Sequence, residues 1–200
     1  MQKTLIITVI LITASIFSTP RVTLDSDMTF EEAIEGTKAP QEVIDDLELI
    51  TVRYYGYDSK LHQGQMLVHK DLAGDVKDIF EMIKERKFLV EKCIPIVKYE
   101  WSDNASMEDN NSSGFNYRFI AGTKRLSNHS FGRAIDINPL DNPYIGKDGH
   151  VSPEGAEYEP GSKGTITGDS FIVKELLKRG WRWGGNWNSI KDYQHFDKAE

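Results

Sequence analysis

Apolar and polar residues alternate along positions 47–57 and again along 64–69, which predicts two strands joined through a turn at Tyr57, Asp58, Ser59 and Lys60. The period then changes. Leu72, Val76, Ile79, Phe80 and Ile83 recur at helical spacing, so positions 72 to about 87 read as an amphipathic helix with Asp71 as its N-cap. Asp75, Asp78, Glu81, Lys84 and Glu85 form its solvated face. Positions 94–99 read as a strand, 102–114 as a polar loop, and 116–120 as extended again. Positions 139–167 are rich in Gly, Pro, Asp and Asn, a long excursion expected to rim a site. Phe171, Val173, Leu176 and Leu177 mark a second helix, capped by Asp169 or Ser170 and closed by Lys178, Arg179 and Gly180. Strands and helices mixed without a regular βαβ alternation indicate an α+β domain.

Upstream, the pattern is of another kind. Lys3 precedes an apolar run from Leu5 to Phe17, so residues 1–20 read as a signal peptide or an N-terminal anchor, and the protein is expected to be exported. Residues 21–46 are polar and acidic, with Gly36 and Pro40, and read as a linker or pro-segment with a short helix around 31–34. That places a single folded domain at 47–200, a length able to bury a sizeable core. A net charge of −7 without a basic cluster excludes nucleic acid as a partner. It leaves membrane contact only through an uncleaved N-terminal segment. Cys93 is the one cysteine, so an intramolecular disulfide and a cysteine-based zinc site are both excluded, and its apolar neighbours suggest a buried thiol.

The candidate chemistry lies in two segments, Ser127-Asn128-His129-Ser130-Phe131-Gly132-Arg133-Ala134-Ile135-Asp136 and Asp192-Tyr193-Gln194-His195. Two imidazoles and a carboxylate, His129, His195 and Asp136, suit one zinc ion and leave its fourth position open for water. His129 and Asp136 are seven apart, an odd offset that puts them on opposite faces of an unbroken strand. Gly132 is where the strand must break, leaving Ala134, Asp136 and Asn138 on one face of the following strand. In the last strand, alternation groups Tyr193, His195 and Asp197 against Gln194 and Phe196. Asp192, at the start of that strand, is placed to serve as a general base, and Asp197 to support His195. His62, His69 and His150 lack a carboxylate in a matching frame and read as structural or surface residues.

The pattern Ser-x-His-x-x-Gly-x-Ala-x-Asp followed by a late Asp-x-x-His resembles the D-alanyl-D-alanine carboxypeptidase and VanY-like zinc peptidases. Phe115-Asn116-Tyr117-Arg118, Ala121-Gly122-Thr123-Lys124-Arg125-Leu126, Ile137-Asn138-Pro139 and Gly180-Trp181-Arg182-Trp183-Gly184-Gly185 are similar to that family as well. The resemblance spans about 47–197. It implies a small α+β fold shared with lysostaphin and the hedgehog signalling domain, with a central antiparallel sheet flanked by helices. It also implies one zinc on His129, Asp136 and His195, Asp192 as base, and Arg118 polarising the scissile carbonyl. Several such enzymes carry Glu at the base position, where this chain has the shorter Asp. Ser127 either hydrogen-bonds substrate or fixes the loop entering His129. Trp181, Trp183 and Trp187 are read as packing around the Gly184-Gly185 turn.

The function implied is a monomeric zinc peptidase acting on peptidoglycan stem peptides or their precursor, as a D-alanyl-D-alanine carboxypeptidase. Cleavage of an L-Ala-D-Glu bond is the alternative within the same chemistry, and a non-catalytic zinc-bearing binding module the alternative outside it. A terminal carboxylate calls for a cation near the cleft, with Arg125 and Arg133 as candidates.

Overall fold

The computed structural model describes residues 21–199; the N-terminal apolar run, read as a signal peptide or anchor, lies outside them. The chain opens with a short strand β1 (Thr23–Leu24) and two single-turn helices, α1 (Phe30–Ala33) and α2 (Gln41–Ile44). The hairpin read from the alternation follows as β2 (Leu47–Tyr55) and β3 (Leu61–His69), paired antiparallel from Leu47 opposite His69 to Tyr55 opposite Leu61. β1 adds to β3 in parallel.

Residues 21–46, expected as a polar linker or pro-segment, are packed onto this hairpin. Thr29 and Glu32 close a capping box on α1. Ala33, Leu47, Leu67 and Phe115 bury together, with Phe30, Ile34 and Trp101 against them. Ser26 donates to the Gln65 side chain at 2.7 Å. The segment therefore covers one face of the hairpin, which explains why five consecutive residues of β3, Gly64 to Val68, are buried.

The helix read from the apolar spacing is α3 (Lys70–Glu85), which lays Leu72, Val76, Ile79, Phe80 and Ile83 on the other face of the hairpin. Its cap is His69 rather than Asp71: β3 runs straight into the helix, and the Asp71 N–H donates to His69 Nδ1 at 3.1 Å. Beyond it the strand expected over 94–99 is replaced by β4 (Lys92–Cys93) and a 3-10 turn at Ile96–Tyr99. Pro95 has no N–H to give a ladder and enters that turn directly. The polar stretch expected as loop contains α4 (Asp103–Glu108), capped by Ser102, and β5 (Asn111–Ser112), parallel to β4.

Six short strands and one helix follow in the C-terminal half: β6 (Ala134–Asp136), β7 (Tyr144–Ile145), β8 (Val151–Ser152), α5 (Phe171–Lys178), β9 (Arg182–Trp183), β10 (Lys191–Asp192) and β11 (His195–Asp197), with β9, β10 and β11 as separate pieces around the Gly184–Asn186 turn. Ser170 caps α5, as the sequence allows. The fold is a single-domain α+β fold. Among the described residues the strands form four small sheets in place of one central sheet, and antiparallel pairing orders β6-β11-β9 and β10-β7-β8. Ile135 and Phe196, on one side of β6 and β11, join α3 and α5 in the main core. Their neighbours in sequence face the opposite way, into a cleft.

Candidate metal centre

Cross-strand register makes the site. β6 and β11 place His195 directly opposite Asp136, so two polar side chains stand side by side while Ile135 and Phe196 pair on the core face. His129 arrives from the 3-10 turn Asn128–Phe131, and that turn ends at Gly132, whose φ of +64° is a left-handed conformation. The strand break expected at Gly132 is there. The Ser113 backbone, on the other side of β6, exchanges both N–H···O bonds with Asp136 and fixes its position further.

The three side chains are buried and turn lone pairs to one point. His129 Nε2 lies 3.2 Å from His195 Nδ1 and 3.1 Å from Asp136 Oδ2, and His195 Nδ1 lies 3.0 Å from Asp136 Oδ1. A tetrahedral zinc with ligands at about 2.0–2.1 Å holds neighbouring ligand atoms about 3.3 Å apart. The spacing and the donor set fit that ion, and among the described residues these three form the one group able to hold a metal.

Supporting contacts set each ring. The Gly114 carbonyl accepts from His129 Nδ1 at 2.6 Å, which fixes the proton there and frees Nε2. Asp197 Oδ2 lies 3.7 Å from His195 Nε2, and Asp197 is held in turn by Arg182 at 2.9 and 2.6 Å and by Asn128. Small Ala134, opposite Asp197, leaves room for that cluster.

The electrostatics follow from burial and proximity. Burial opposes ionisation of Asp136, yet the two imidazoles outweigh it and hold its carboxyl well below the usual range. Burial likewise disfavours a charged His195, but Asp136 and Asp197 push its pKa up to about 10. Asp192 goes the other way: burial, reinforced by the charge of Asp136 and opposed by His195, His129 and Arg118, pushes it up to about 7. As a whole residue Asp192 is only half-buried, but its Oδ1 is shielded from solvent and has no hydrogen-bond partner.

Arg118, Arg125, Ser127 and Asp192 line one cavity of about 860 Å³ together with His129, Asp136 and His195; Arg133 does not reach it. Arg118 pairs with Asp103 at 2.9 Å while its Nε is buried without a partner. Ser127 is buried and its Oγ accepts from the His129 N–H at 3.3 Å, so it fixes the loop that presents His129. Asp192 does not begin the last strand but lies on β10, held by β7 opposite Tyr144.

The alternation expected over 193–197 breaks at its start. Tyr193 packs on the core and stacks on Tyr158 at 3.6 Å between ring centroids, and its N–H bonds to Pro143 outside any ladder. Gln194, expected on the opposite face, lines the cavity instead. Trp181 and Trp183 are core residues, as read, whereas Trp187 lines the cavity with its ring 5.5 Å from His195. His150, read as a surface residue, stands exposed at the same cavity. The excursion over 139–167 rims the site through Tyr144, His150 and Ser152.

Gly114, Asn128, Arg182 and Asp103 were not singled out from the sequence. A carbonyl leaves no side-chain signature, and the other three act through partners far along the chain.

No curated protein and no solved structure gives a match to the chain. Residues 121–198 match the family model described as D-alanyl-D-alanine carboxypeptidase; that stretch holds His129, Asp136, Asp192 and His195, and the match bears out the family resemblance drawn from their motifs.

Proposed function

We propose that this protein is a zinc-dependent peptidase that removes the terminal D-alanine from peptidoglycan stem peptides or their precursor. The observation that carries the reading is the meeting, in one cavity, of a His-Asp-His group spaced for zinc, a carboxylate of raised proton affinity and an arginine. A zinc ion held by His129 Nε2, Asp136 and His195 Nδ1 would supply Lewis acidity at the scissile carbonyl.

The remaining work falls to side chains of this chain. Asp192 lines the cavity beside the three ligands, and burial raises its affinity for a proton, which suits it to take one from the attacking water and return it to the leaving amine. Arg118 directs positive charge into the cavity, where it stabilises negative charge developing on the carbonyl oxygen. Trp187 and the β7–β8 hairpin wall the cavity. An Asp192 Oδ1 shielded from solvent and left without a partner beside the ligands favours a catalyst over a zinc-bearing binding module, for which that oxygen is only a cost.

Export to the cell envelope goes with this proposal, as does action by a single copy of the chain. Among the described residues no helix is long and apolar enough to cross a membrane. The test is to load purified protein with zinc and incubate it with a stem pentapeptide ending in D-Ala-D-Ala. Release of free D-alanine is expected at neutral pH and should stop with a chelator. Cut peptide without free D-alanine would move the assignment to an internal bond such as L-Ala-D-Glu.

A further inference from the structure

Three arginines line the cavity, and they are not equivalent. Arg118 is paired with Asp103 at 2.9 Å, and Arg182 is held bidentately by Asp197 at 2.9 and 2.6 Å. Arg125 is exposed and, among the described residues, makes no ion pair. Arg133, the other cation considered from the sequence, does not line the cavity. Its Nε donates to the Lys198 carbonyl at 3.2 Å, and its guanidinium lies 3.7 Å from Asp71.

Backbone pairing says where Arg125 stands. The Ser127 N–H bonds to the Arg118 carbonyl at 3.0 Å, Phe119 bridges Leu126, and the Ile120 N–H bonds to the Arg125 carbonyl at 2.9 Å. Residues 118–120 and 125–127 are therefore a small antiparallel hairpin. Period-two alternation puts Arg125 on the same side as Ser127, and Ile120 on the same side as Arg118. Arg125 sits about 7 Å, two strand residues, beyond the pair that flanks the metal centre. An extended peptide lying along the hairpin covers that distance in about two residues.

Three of the four carboxylates that line the cavity are already committed: Asp103 to Arg118, Asp197 to Arg182, and Asp136 to the two imidazoles. The fourth, Asp192, lines the cavity from β10, which pairs with β7 rather than with the hairpin that carries Arg125. An unpaired guanidinium in such a place is a site for an acidic group carried in by the ligand.

We propose that Arg125 is the specificity-determining residue that binds a free carboxylate of the substrate within two residues of the scissile bond. This rests on the peptidase reading above. Two carboxylates of a stem peptide qualify: that of the C-terminal D-alanine, which defines a carboxypeptidase, and that of the D-glutamate residue, which an internal cut would present.

The test compares three pentapeptides, the free acid, its C-terminal amide, and the form with the D-glutamate carboxylate amidated. Each is measured for KM and kcat, and for binding to metal-free protein by calorimetry, with wild type, Arg125→Ala and Arg125→Lys. One of the two amidated peptides is expected to bind wild type about ten- to a hundredfold more weakly than the free acid. The peptide that weakens names the carboxylate. Arg125→Ala should abolish that difference through KM, with kcat, zinc content and melting temperature unchanged, and Arg125→Lys should restore part of it. If wild type cleaves all three peptides without preference, or Arg125→Ala keeps the wild-type preference, the role of Arg125 is overturned while the peptidase reading stands. If zinc-loaded wild type neither binds nor cleaves any of them, both fall together.

Discussion

Replacing Gly132 with alanine tests the local geometry on which the whole site depends. Gly132 ends the turn that presents His129 and begins the run into β6, with φ at +64°. Its carbonyl accepts from the His69 N–H at 2.8 Å. A methyl group there would come within 2.5 Å of the His69 nitrogen, 2.7 Å of Leu47 Cδ2 and 2.9 Å of the Val68 carbonyl carbon. Two of these contacts are backbone atoms of β3, which cannot rotate away. The left-handed conformation alone costs an alanine about 1–2 kcal/mol, and overpacking against fixed atoms about 1–3 kcal/mol more. The sum, about 2–5 kcal/mol, is a large part of the stability of a domain this size. Gly155→Ala separates the two contributions, because Gly155 has φ of +79° with nothing within 4 Å of the added carbon. Urea denaturation of both variants in chelator should show Gly132→Ala losing at least about 1 kcal/mol more than Gly155→Ala, and zinc affinity should fall in Gly132→Ala alone. Equal losses in the two variants would refute the close approach of Gly132 to β3.

Asp192→Asn should keep zinc content and fold while turnover drops by about 10²–10⁴, measured as product release; loss of zinc would make Asp192 a ligand instead. Asp197→Ala should weaken zinc about 10- to 100-fold in competition with a chelator, because His195 and Arg182 both lose their partner. A pH effect is expected at His62, whose Nδ1 lies 2.9 Å from Asp25 and whose Nε2 lies 3.0 Å from Asp58. Burial works against the charged ring, but the two carboxylates outweigh it and raise its pKa. The resulting stability is fully present below the unfolded value of about 6.5 and is lost as pH rises through the folded value. Wild type should therefore lose urea resistance relative to His62→Gln between pH 6 and pH 9, and parallel curves for the two proteins would refute the contribution of the Asp25–His62–Asp58 contacts.

Local rules carried much of this far, and the places where they stopped are instructive. The odd offset between His129 and Asp136 required a break at Gly132, and the helical spacing of Leu72, Val76, Ile79 and Ile83 fixed the face of α3; both depend on residues close in sequence. The position of Asp192 depends on β10 pairing with β7, nearly fifty residues away, and short strands carry too few residues to declare a partner. The packing of 21–46 was hidden for another reason. Glu31, Glu32 and Glu35 face solvent and dominate the composition of α1, while Ala33 and its apolar neighbours pack on the hairpin and β1, Asp25 and Ser26 bond to it. His69 as a cap is a case of tertiary context overriding preference, since the strand before it sets where the helix begins. The Gly114 carbonyl, which orients His129, belongs to a backbone group that every residue has.

The proposed function has a metal held by His129, Asp136 and His195, and Asp192 as the base, in the cutting of stem peptides. The measurement that bears on it most directly is mass spectrometry of muropeptides digested with zinc-loaded wild type and with zinc-loaded Asp192→Asn. Stem peptides shortened by one terminal alanine are expected with wild type, and unchanged peptides with the variant. A folded, zinc-loaded wild type that leaves every muropeptide bond intact across neutral pH would contradict it.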